Sequence, residues 1–494
     1  MTSDRSGGAA PFRDARLCHR NPICPSQISG VHGGFERPRR VADANLEHLG
    51  IAQANAPRVW SLWCGIQGSF RQTFSAWLLE YSLAQEAHPM TVSLTPGRER
   101  ALLFTLAGIQ FSHIVDFMMM MPLGPFITSG FGIGPAEFGL LVSAYTFSAG
   151  ISGVLASAYI DRFDRKRLVM VLYFLFAVFT ALCGWSSGFA GLMAARIGAG
   201  FFGGVLSALS QTIVADVIPF ERRGRAMGVV MTSFALGTVA GVPTALMLAN
   251  HFGWHSPFFA VAAFSLVLLA MAGWLLPPLN HHVHAVRQQS VLVVVGQTLK
   301  DDNHQRALLV SAGMMFSSFC VIPYITLYYQ GNGILTSDQL PAIYLCGGVA
   351  TLFTSRWFGG LADRVGKLKM LRVMLLVSIV PLMSTTLMQP WGLVPALAIS
   401  TLFFVAMNGR MVPAMAVLSS AANPQTRGTF MTLNGSVQSL AMGLASVVGG
   451  LLVTQHPDGH LEHYWMAGLV GVTCSLITFW LAGRVRMQGQ PKSR

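Results

Sequence analysis

The sequence predicts an all-α integral membrane fold, with twelve transmembrane helices arranged as two pseudo-symmetric six-helix bundles. Three observations predict it. Of 494 residues, 52% are hydrophobic and only 11% charged, against about 25% charged in soluble domains. From residue 101 onward, uncharged stretches recur at bilayer-spanning length. Lys and Arg fall at alternate ends of those stretches, as a membrane orientation requires. The net charge of +13 and pI near 9.8 is therefore read as orienting the chain, not as a nucleic-acid surface.

A span needs about 20 mostly apolar residues. Spans 1 to 6 are expected near 101–127, 137–159, 167–186, 189–218, 226–250 and 256–277. Spans 7 to 12 follow near 306–328, 339–361, 370–388, 392–418, 429–453 and 463–485. Of 33 Lys and Arg, nine precede residue 90 and three lie inside spans: Arg196, Arg356 and Arg410. The other 21 sit at the N-terminal end of span 1, in the even-numbered loops or at the C-terminus. The odd-numbered loops carry only Glu137, Asp338, Asp458, Glu462 and some histidines. This alternation puts both termini and the polar stretch 278–305 in the cytosol of a cytoplasmic-membrane protein.

Residues 1–97 read as a cytosolic, disordered extension, rich in Arg, Pro, Gly and Ser. Its most apolar part is broken by Arg71 and Glu80, so it does not read as a signal peptide. Met90 opens a short polar lead into span 1, and two readings stand: it is the true initiator, or the extension is a real tail. The remaining domains are a first bundle over 98–279, an inter-bundle loop over 280–305, a second bundle over 306–486 and a tail over 487–494. Within the loop, 290–301 is expected to form a short helix. Cys18, Cys24 and Cys64 precede the spans, Cys183, Cys320, Cys346 and Cys474 lie inside them, and no CxxC occurs. Neither zinc nor structural disulfides are implied.

Two segments recur at nearly constant separation. Ser157-Ala-Tyr-Ile-Asp161-Arg162-Phe-Asp164-Arg165-Lys166-Arg167 follows span 2, and Gly359-Gly-Leu-Ala-Asp363-Arg364-Val-Gly366-Lys367 follows span 8. Arg223-Gly224 after span 4 is matched by Arg427-Gly428 after span 10. Two six-span halves in parallel orientation are characteristic of one large transporter architecture. The string 359–367 resembles the loop signature of the major facilitator superfamily, its motif A. Arg196-x-x-x-Gly200 resembles motif B. Asp116-Phe-Met-Met-Met-Met-Pro122 and Gly253-Trp-His-Ser-Pro257-Phe-Phe are similar to drug- and sugar-efflux members, the arabinose-efflux-like and drug–proton antiporter permeases.

The likeness covers residues 98–486 and has departures. Ser157 and Asp164 stand where motif A usually has glycine, Ser being small enough for close contact and Asp tolerating a left-handed backbone. In span 5, Gly237-Thr-Val-Ala-Gly241-Val242-Pro243 separates the Gly-Pro pair of the antiporter signature.

Charges kept at mid-bilayer cost about 2.5–3.5 kcal/mol each and mark candidate sites. Asp116 lies 18 residues beyond Arg98, about 27 Å along a helix, and Arg196 lies 20 before Asp216, about 30 Å. The two depths agree. In the family spans 1 and 4 line a central cavity, so Asp116 and Arg196 are expected to pair across it. Asp116 would then be the proton or cation coupling site; a structural ion pair is the alternative. His113 lies one turn from Asp116, as a relay or as a packing histidine. Arg410, beside Asn408, would bind an anionic group or reach the interface, and Arg356 is expected to reach the interface.

Tyr324, Gln438 and Asn434 are candidate polar cavity residues. Met118 to Met121 are expected to pack adaptably, and Pro122, Pro243, Pro323 and Pro413 to mark kinks. His281, His282 and His284 lack further ligands nearby, so no metal is expected.

The resemblance also implies that Asp161 faces the start of span 11 and Asp363 the start of span 5. A carboxylate there gains about 0.3–1 kcal/mol from the helix dipole, weak enough for a gate broken in each cycle. The alternative for these loops is that Arg and Lys anchor them topologically. Nothing resembles an ATP-binding loop, so the expected activity is secondary, gradient-driven transport of a small molecule by a monomer without cofactors. Proton-coupled export of sugars or amphipaths comes first, an importer or uniporter second. A non-transporting receptor or scaffold fits poorly with a retained gate, and no nucleophile–base or metal constellation suggests an enzyme.

Overall fold

Span 1 is two helices, α1 (Pro96–Met119) and α2 (Gly124–Phe131), joined by a turn that contains Pro122. In this computed structural model the described residues are 96–159, 164–218, 220–276, 296, 298–422 and 427–487. Spans 2, 3 and 4 are α3 (Pro135–Tyr159), α4 (Arg165–Trp185) and α5 (Phe189–Val217). Span 5 is α6 (Phe220–Leu236), a π-turn at Gly237–Gly241, and α7 (Val242–Phe252), with Pro243 in the first turn of α7. A proline there lacks the N–H that a regular helix would use, and the wider turn absorbs the mismatch. Span 6 is α8 (Ser256–Leu275).

In the second bundle span 7 is α9 (Asp302–Phe319), a 3₁₀ turn at Ile322–Tyr324 containing Pro323, and α10 (Ile325–Gly331). Spans 8 and 10 are α11 (Leu340–Val365) and α14 (Leu393–Ala421), the latter continuous through Pro413. Span 9 breaks at Ser378 into α12 (Lys367–Val377) and α13 (Ile379–Thr386), with Pro381 near the start of α13. Span 11 is α15 (Arg427–Leu452) and span 12 is α16 (Tyr464–Ala482). A two-stranded antiparallel hairpin, β1 (Thr454–Gln455) with β2 (Leu461–Glu462), links them.

Among the described residues, eleven helical segments are long and apolar enough to cross a membrane. The twelfth, Leu340–Val365, reaches 26 residues but carries the polar stretch Thr351 to Arg356. Exposed tryptophans mark both rims: Trp185 and Trp391 at the odd-loop end, Trp274 and Trp357 at the even-loop end. Such belts sit at membrane–water interfaces. Residues 296 and 298–300 of the polar stretch are helical and Asp301 is extended as the N-cap of α9; residues 290–295 and 297 of the expected helix lie outside the described residues, as do residues 1–95 and His281, His282 and His284.

The bundles join at one end. The largest cluster of buried apolar residues draws on both: Met120, Phe138 and Leu141 of the first, Val321, Ile325 and Leu327 of the second. All of these lie in the odd-loop half. Toward the even-loop end each bundle has its own core, around Leu102 and Ile213 in the first and Leu308 and Leu418 in the second.

Particular contacts make the seam. Thr326 Oγ1 lies 3.3 Å from the Met121 carbonyl, and Asn250 Nδ2 donates to Ser337 O at 3.0 Å. At Gly348 of span 8 an added Cβ would lie 2.9 Å from the Val239 Cα of span 5, so only hydrogen fits between these two backbones. Spans 2 and 11 pack along much of their length, from Gly450 against Ala136 to Gly153 against Ser436.

Candidate functional site

Asp116 and Arg196 meet where α1, α3, α4 and α5 come together, and both side chains are 0% exposed. Arg196 Nη1 donates to Asp116 Oδ2 at 3.0 Å and to the Asp116 carbonyl at 3.1 Å. The pairing matches the expectation from depth, but its place does not. The pair is enclosed within the first bundle, with no face on a central cavity. Span 4 is drawn tightly onto span 2 by Gly200 and Gly204: a Cβ at 204 would lie 2.6 Å from the Ala149 Cα, and one at 200 would strike the Tyr145 backbone. That approach brings the Tyr145 ring over the guanidinium, 4.4 Å from its centroid, and shuts the pair in.

The enclosure leaves polar atoms without partners. Asp116 Oδ1, Arg196 Nε and Nη2, both ring nitrogens of His113 and Thr180 Oγ1 are buried and make no hydrogen bond. Thr180 stands beside the carboxylate without a well-formed bond, and Cys183 stands beside the guanidinium. Buried polar atoms are overwhelmingly bonded in folded proteins, so a cluster of orphans calls for an explanation. A guanidinium using one nitrogen of three and a carboxylate using one oxygen of two can both take further partners.

Of the two roles expected for Arg410, reaching the interface is not met. It is 1% exposed, so it does not reach the interface, and its partners are neutral. Nη1 donates to Ser317 Oγ at 3.3 Å and Ser475 Oγ at 3.4 Å; Nη2 donates to the Met314 carbonyl at 3.2 Å and to Ser318 Oγ. These groups cluster at the C-terminal end of α9, where span 7 breaks. The negative end of a helix dipole favours a cation there, which supplies the compensation that a carboxylate supplies to Arg196. Arg356 is exposed, toward the even-loop end.

The other polar candidates disperse. Asn408 Nδ2 donates to Ser355 Oγ at 2.6 Å, and Gln438 Nε2 to Ser311 Oγ at 2.8 Å. Tyr324 donates its hydroxyl to the Ser446 carbonyl in the seam, and Asn434 is buried with an unpartnered Oδ1. None of these touches Asp116. Met119 to Met121 are buried in the shared core, and Met118 S lies 3.9 Å from Thr238 Oγ1. Gly237 and Gly241 of the π-turn face Ile114 and Val115 of α1.

The two motif A loops differ. Asp161 and Arg162 lie outside the described residues. Asp164 has φ −57°, so the left-handed backbone expected of it is absent. Its carboxylate caps α4 instead, accepting from Lys166 N at 2.8 Å and Arg167 N at 3.4 Å. In the second copy Gly366 does take the left-handed region, at φ +98°. Arg165 is buried and Lys166 and Lys367 half-buried, while Asp363 and Arg364 are exposed. No hydrogen bond or ion pair of Asp363 is found among the described residues, and Gly359 has open space around it.

Sequence reasoning missed Tyr145, Thr180 and Phe117. Tyr145 lies ten residues into α3 and Arg196 seven into α5, about 15 and 11 Å from the same membrane face. That shared depth was the available signal.

The geometry now has a family context. The Major Facilitator Superfamily description matches residues 106–446. The chain belongs to that superfamily. An "uncharacterized MFS-type transporter YtbD" of Bacillus subtilis (strain 168) is 24% identical over 384 residues, covering 76% of this chain and 94% of its own. A "chloramphenicol resistance protein" of Streptomyces lividans is 24% identical over 378 residues, covering 73% and 91%. The crystal structure of a bacterial homologue of the human lysosomal transporter Spinster, inward-facing and unoccupied, superposes with a TM-score of 0.67 at 15% identity, covering 79% of this chain and 98% of that one. The chain is thus a multi-pass membrane transporter of this superfamily with its twelve-helix fold.

Proposed function

We propose that this transporter exports a small molecule, a sugar or a drug-like amphipath, in exchange for protons, with Asp116 as the group that takes and releases the proton. One observation carries the reading: a carboxylate and a guanidinium fully enclosed in the first bundle, each with unused hydrogen-bonding atoms. Protonation of Asp116 removes the counter-charge from Arg196, and the guanidinium must find other partners. Two arrangements with different charge distributions are what alternating access needs. His113, one turn away, is the nearest basic side chain on the same helix and a candidate second proton carrier. The name of the Streptomyces lividans relative supports an amphipathic substrate.

The charge asymmetry of the loops supports an orientation with the even-numbered loops in the cytosol of the plasma membrane. In that orientation the core shared by the two bundles lies toward the outer face, and the exposed Asp363 fits a disengaged gate on the cytosolic side. Gly241-Val242-Pro243, with its separated Gly and Pro, favours a second reading, import or uniport on the same fold. Flux direction decides between them. Radiolabelled chloramphenicol and a panel of labelled sugars are offered to everted and right-side-out vesicles under an imposed ΔpH. Export by proton exchange predicts ΔpH-driven accumulation in everted vesicles, lost in Asp116→Asn. Accumulation only in right-side-out vesicles, or full activity of the variant, defeats the proposal.

A further inference from the structure

We propose that the stacked rings of Tyr145, Phe117 and Phe319 are the element through which the charge state of Asp116 sets the contact between the two bundles, making them positioning residues for the transport cycle. This inference rests on the proton-coupling reading above.

The rings form one continuous column. Arg196 Cζ lies over the Tyr145 ring at 4.4 Å. Tyr145 stacks on Phe117, with centroids 5.4 Å apart and planes inclined by 27°. Phe117 stacks on Phe319, 5.9 Å away at 22°. The first three members belong to the first bundle and Phe319 to the second, so the column crosses the seam. Phe117 also follows Asp116 directly in the chain. At the far end, Phe319 closes α9 where span 7 breaks, and its neighbour Ser318 accepts a hydrogen bond from Arg410. The column therefore joins the buried charge pair to the jointed segment of span 7 whose outer half, α10, packs on α2 through Leu327 against Gly124.

The physical reason is charge. The groups around Asp116 that carry or can carry charge are Arg196 of span 4, Tyr145 of span 2, Cys183 of span 3 and His113 of its own helix. With Asp116 ionised, the guanidinium divides its interactions between the carboxylate and the ring face. With Asp116 neutral, the guanidinium keeps the Asp116 main-chain carbonyl and the ring face, and the ring takes a larger share of its interactions in a water-poor site. Among the described residues the Tyr145 hydroxyl makes one hydrogen bond, at 3.4 Å to the His113 carbonyl, over Gly203. A shift of Arg196 is transmitted to Tyr145 and, because the rings lie nearly parallel, to Phe117 and Phe319. Ordinary aromatic packing would stabilise the seam equally whatever the state of Asp116. A second crossing pair provides that comparison: Phe138 and Tyr324 meet edge-on at 6.3 Å, apart from the charge pair.

The test reads the seam directly. Spin labels are placed at Ser129→Cys and Asp458→Cys, both exposed at the odd-loop end of different bundles, in a background with the native cysteines replaced. Distance distributions between the labels are recorded in nanodiscs from pH 5.5 to 8.5. The proposal expects a pH-dependent ratio of closed to open populations in the parent, absent in Asp116→Asn. It expects Phe319→Leu to cut the pH-driven change in that ratio at least fivefold, Phe319→Tyr to restore it, and Phe138→Leu to shift the ratio by a similar factor at every pH.

If Phe319→Leu shifts the ratio equally at all pH values, the column is ordinary packing and the inference fails while proton coupling at Asp116 stands. If the parent is insensitive to pH, or Asp116→Asn keeps the parent's response, the coupling reading falls and the inference with it.

Discussion

Replacing Arg196 with leucine removes what is, among the described residues, the only charged partner of a fully buried carboxylate. Breaking a buried pair by losing one member costs about 3–5 kcal/mol, and the lost contact with the Tyr145 face adds about 1 kcal/mol. Asp116 can protonate to limit its unpaired burial, which brings the expected net cost toward about 3 kcal/mol. With unfolding entropy near 2.1 cal/mol/K per residue over the roughly 360 described residues, that corresponds to a melting-temperature loss of about 4 °C. Asp116→Asn, which strands the guanidinium instead, is expected to lose a similar amount. The double variant removes both charges together and should lose far less than the sum, an interaction of about 2 kcal/mol or more. Intrinsic-fluorescence melting of the four purified proteins in one detergent measures it. Additive losses would show that the two groups are not energetically a pair, and the geometric basis for proton coupling would be gone.

Four further outcomes are expected. Gly348→Leu drives a side chain into the Val239 backbone across the seam; the distance between spin labels at Ser129→Cys and Asp458→Cys should lengthen as the odd-loop end opens. Asp363→Ala removes a carboxylate exposed here but expected to cap span 5 in the opposite state, so labelling at the even-loop end should increase by about 2- to 5-fold, the Boltzmann equivalent of 0.3–1 kcal/mol. Gly200→Val places a branched side chain against the Tyr145 backbone and should abolish folded yield, read by size-exclusion chromatography, while Gly200→Ala retains part of it. In the span 11–12 hairpin, the hydrogen bond from His456 at 3.1 Å, then the charges of His456 and its neighbours His463 and His460, hold Glu462 below the usual carboxylate range. A depressed carboxylate stabilises above its unfolded pKa and loses that contribution as pH falls through its folded value. Amide exchange across residues 454–462 should therefore quicken, relative to its intrinsic rate, as pH falls below the usual carboxylate range, and Glu462→Gln should remove that step.

The spans were legible because each must satisfy its own backbone in lipid, which forces long apolar runs. The observed helix limits depart most at Phe220, six residues before the expected start of span 5, because the polar sequence Phe220-Glu-Arg-Arg-Gly-Arg continues the helix beyond the apolar stretch. The Asp116–Arg196 pairing was legible too, since 1.5 Å per residue converts sequence position into depth. Its enclosure was not. That depends on how closely α5 approaches α3, a matter of Gly200 and Gly204 facing another helix, and helix rotation is not written in hydropathy. The cage of Arg410 was equally hidden: Ser317, Ser318 and Ser475 look like unremarkable span residues until the break in span 7 gathers them at a helix end. Asp164 illustrates the opposite error, a residue assigned a backbone role by a motif position and found using its side chain as a helix cap.

Proton movement measured alongside substrate flux tests the account most directly. Purified protein is reconstituted into liposomes containing a trapped pH-sensitive dye, and labelled chloramphenicol is followed under an outward or inward proton gradient. The account predicts that substrate moving one way drives protons the other way, in a fixed ratio, and that Asp116→Asn loses the proton movement while still binding substrate. Substrate flux unaccompanied by any dye response in the parent protein, or an unchanged response in the variant, would contradict it.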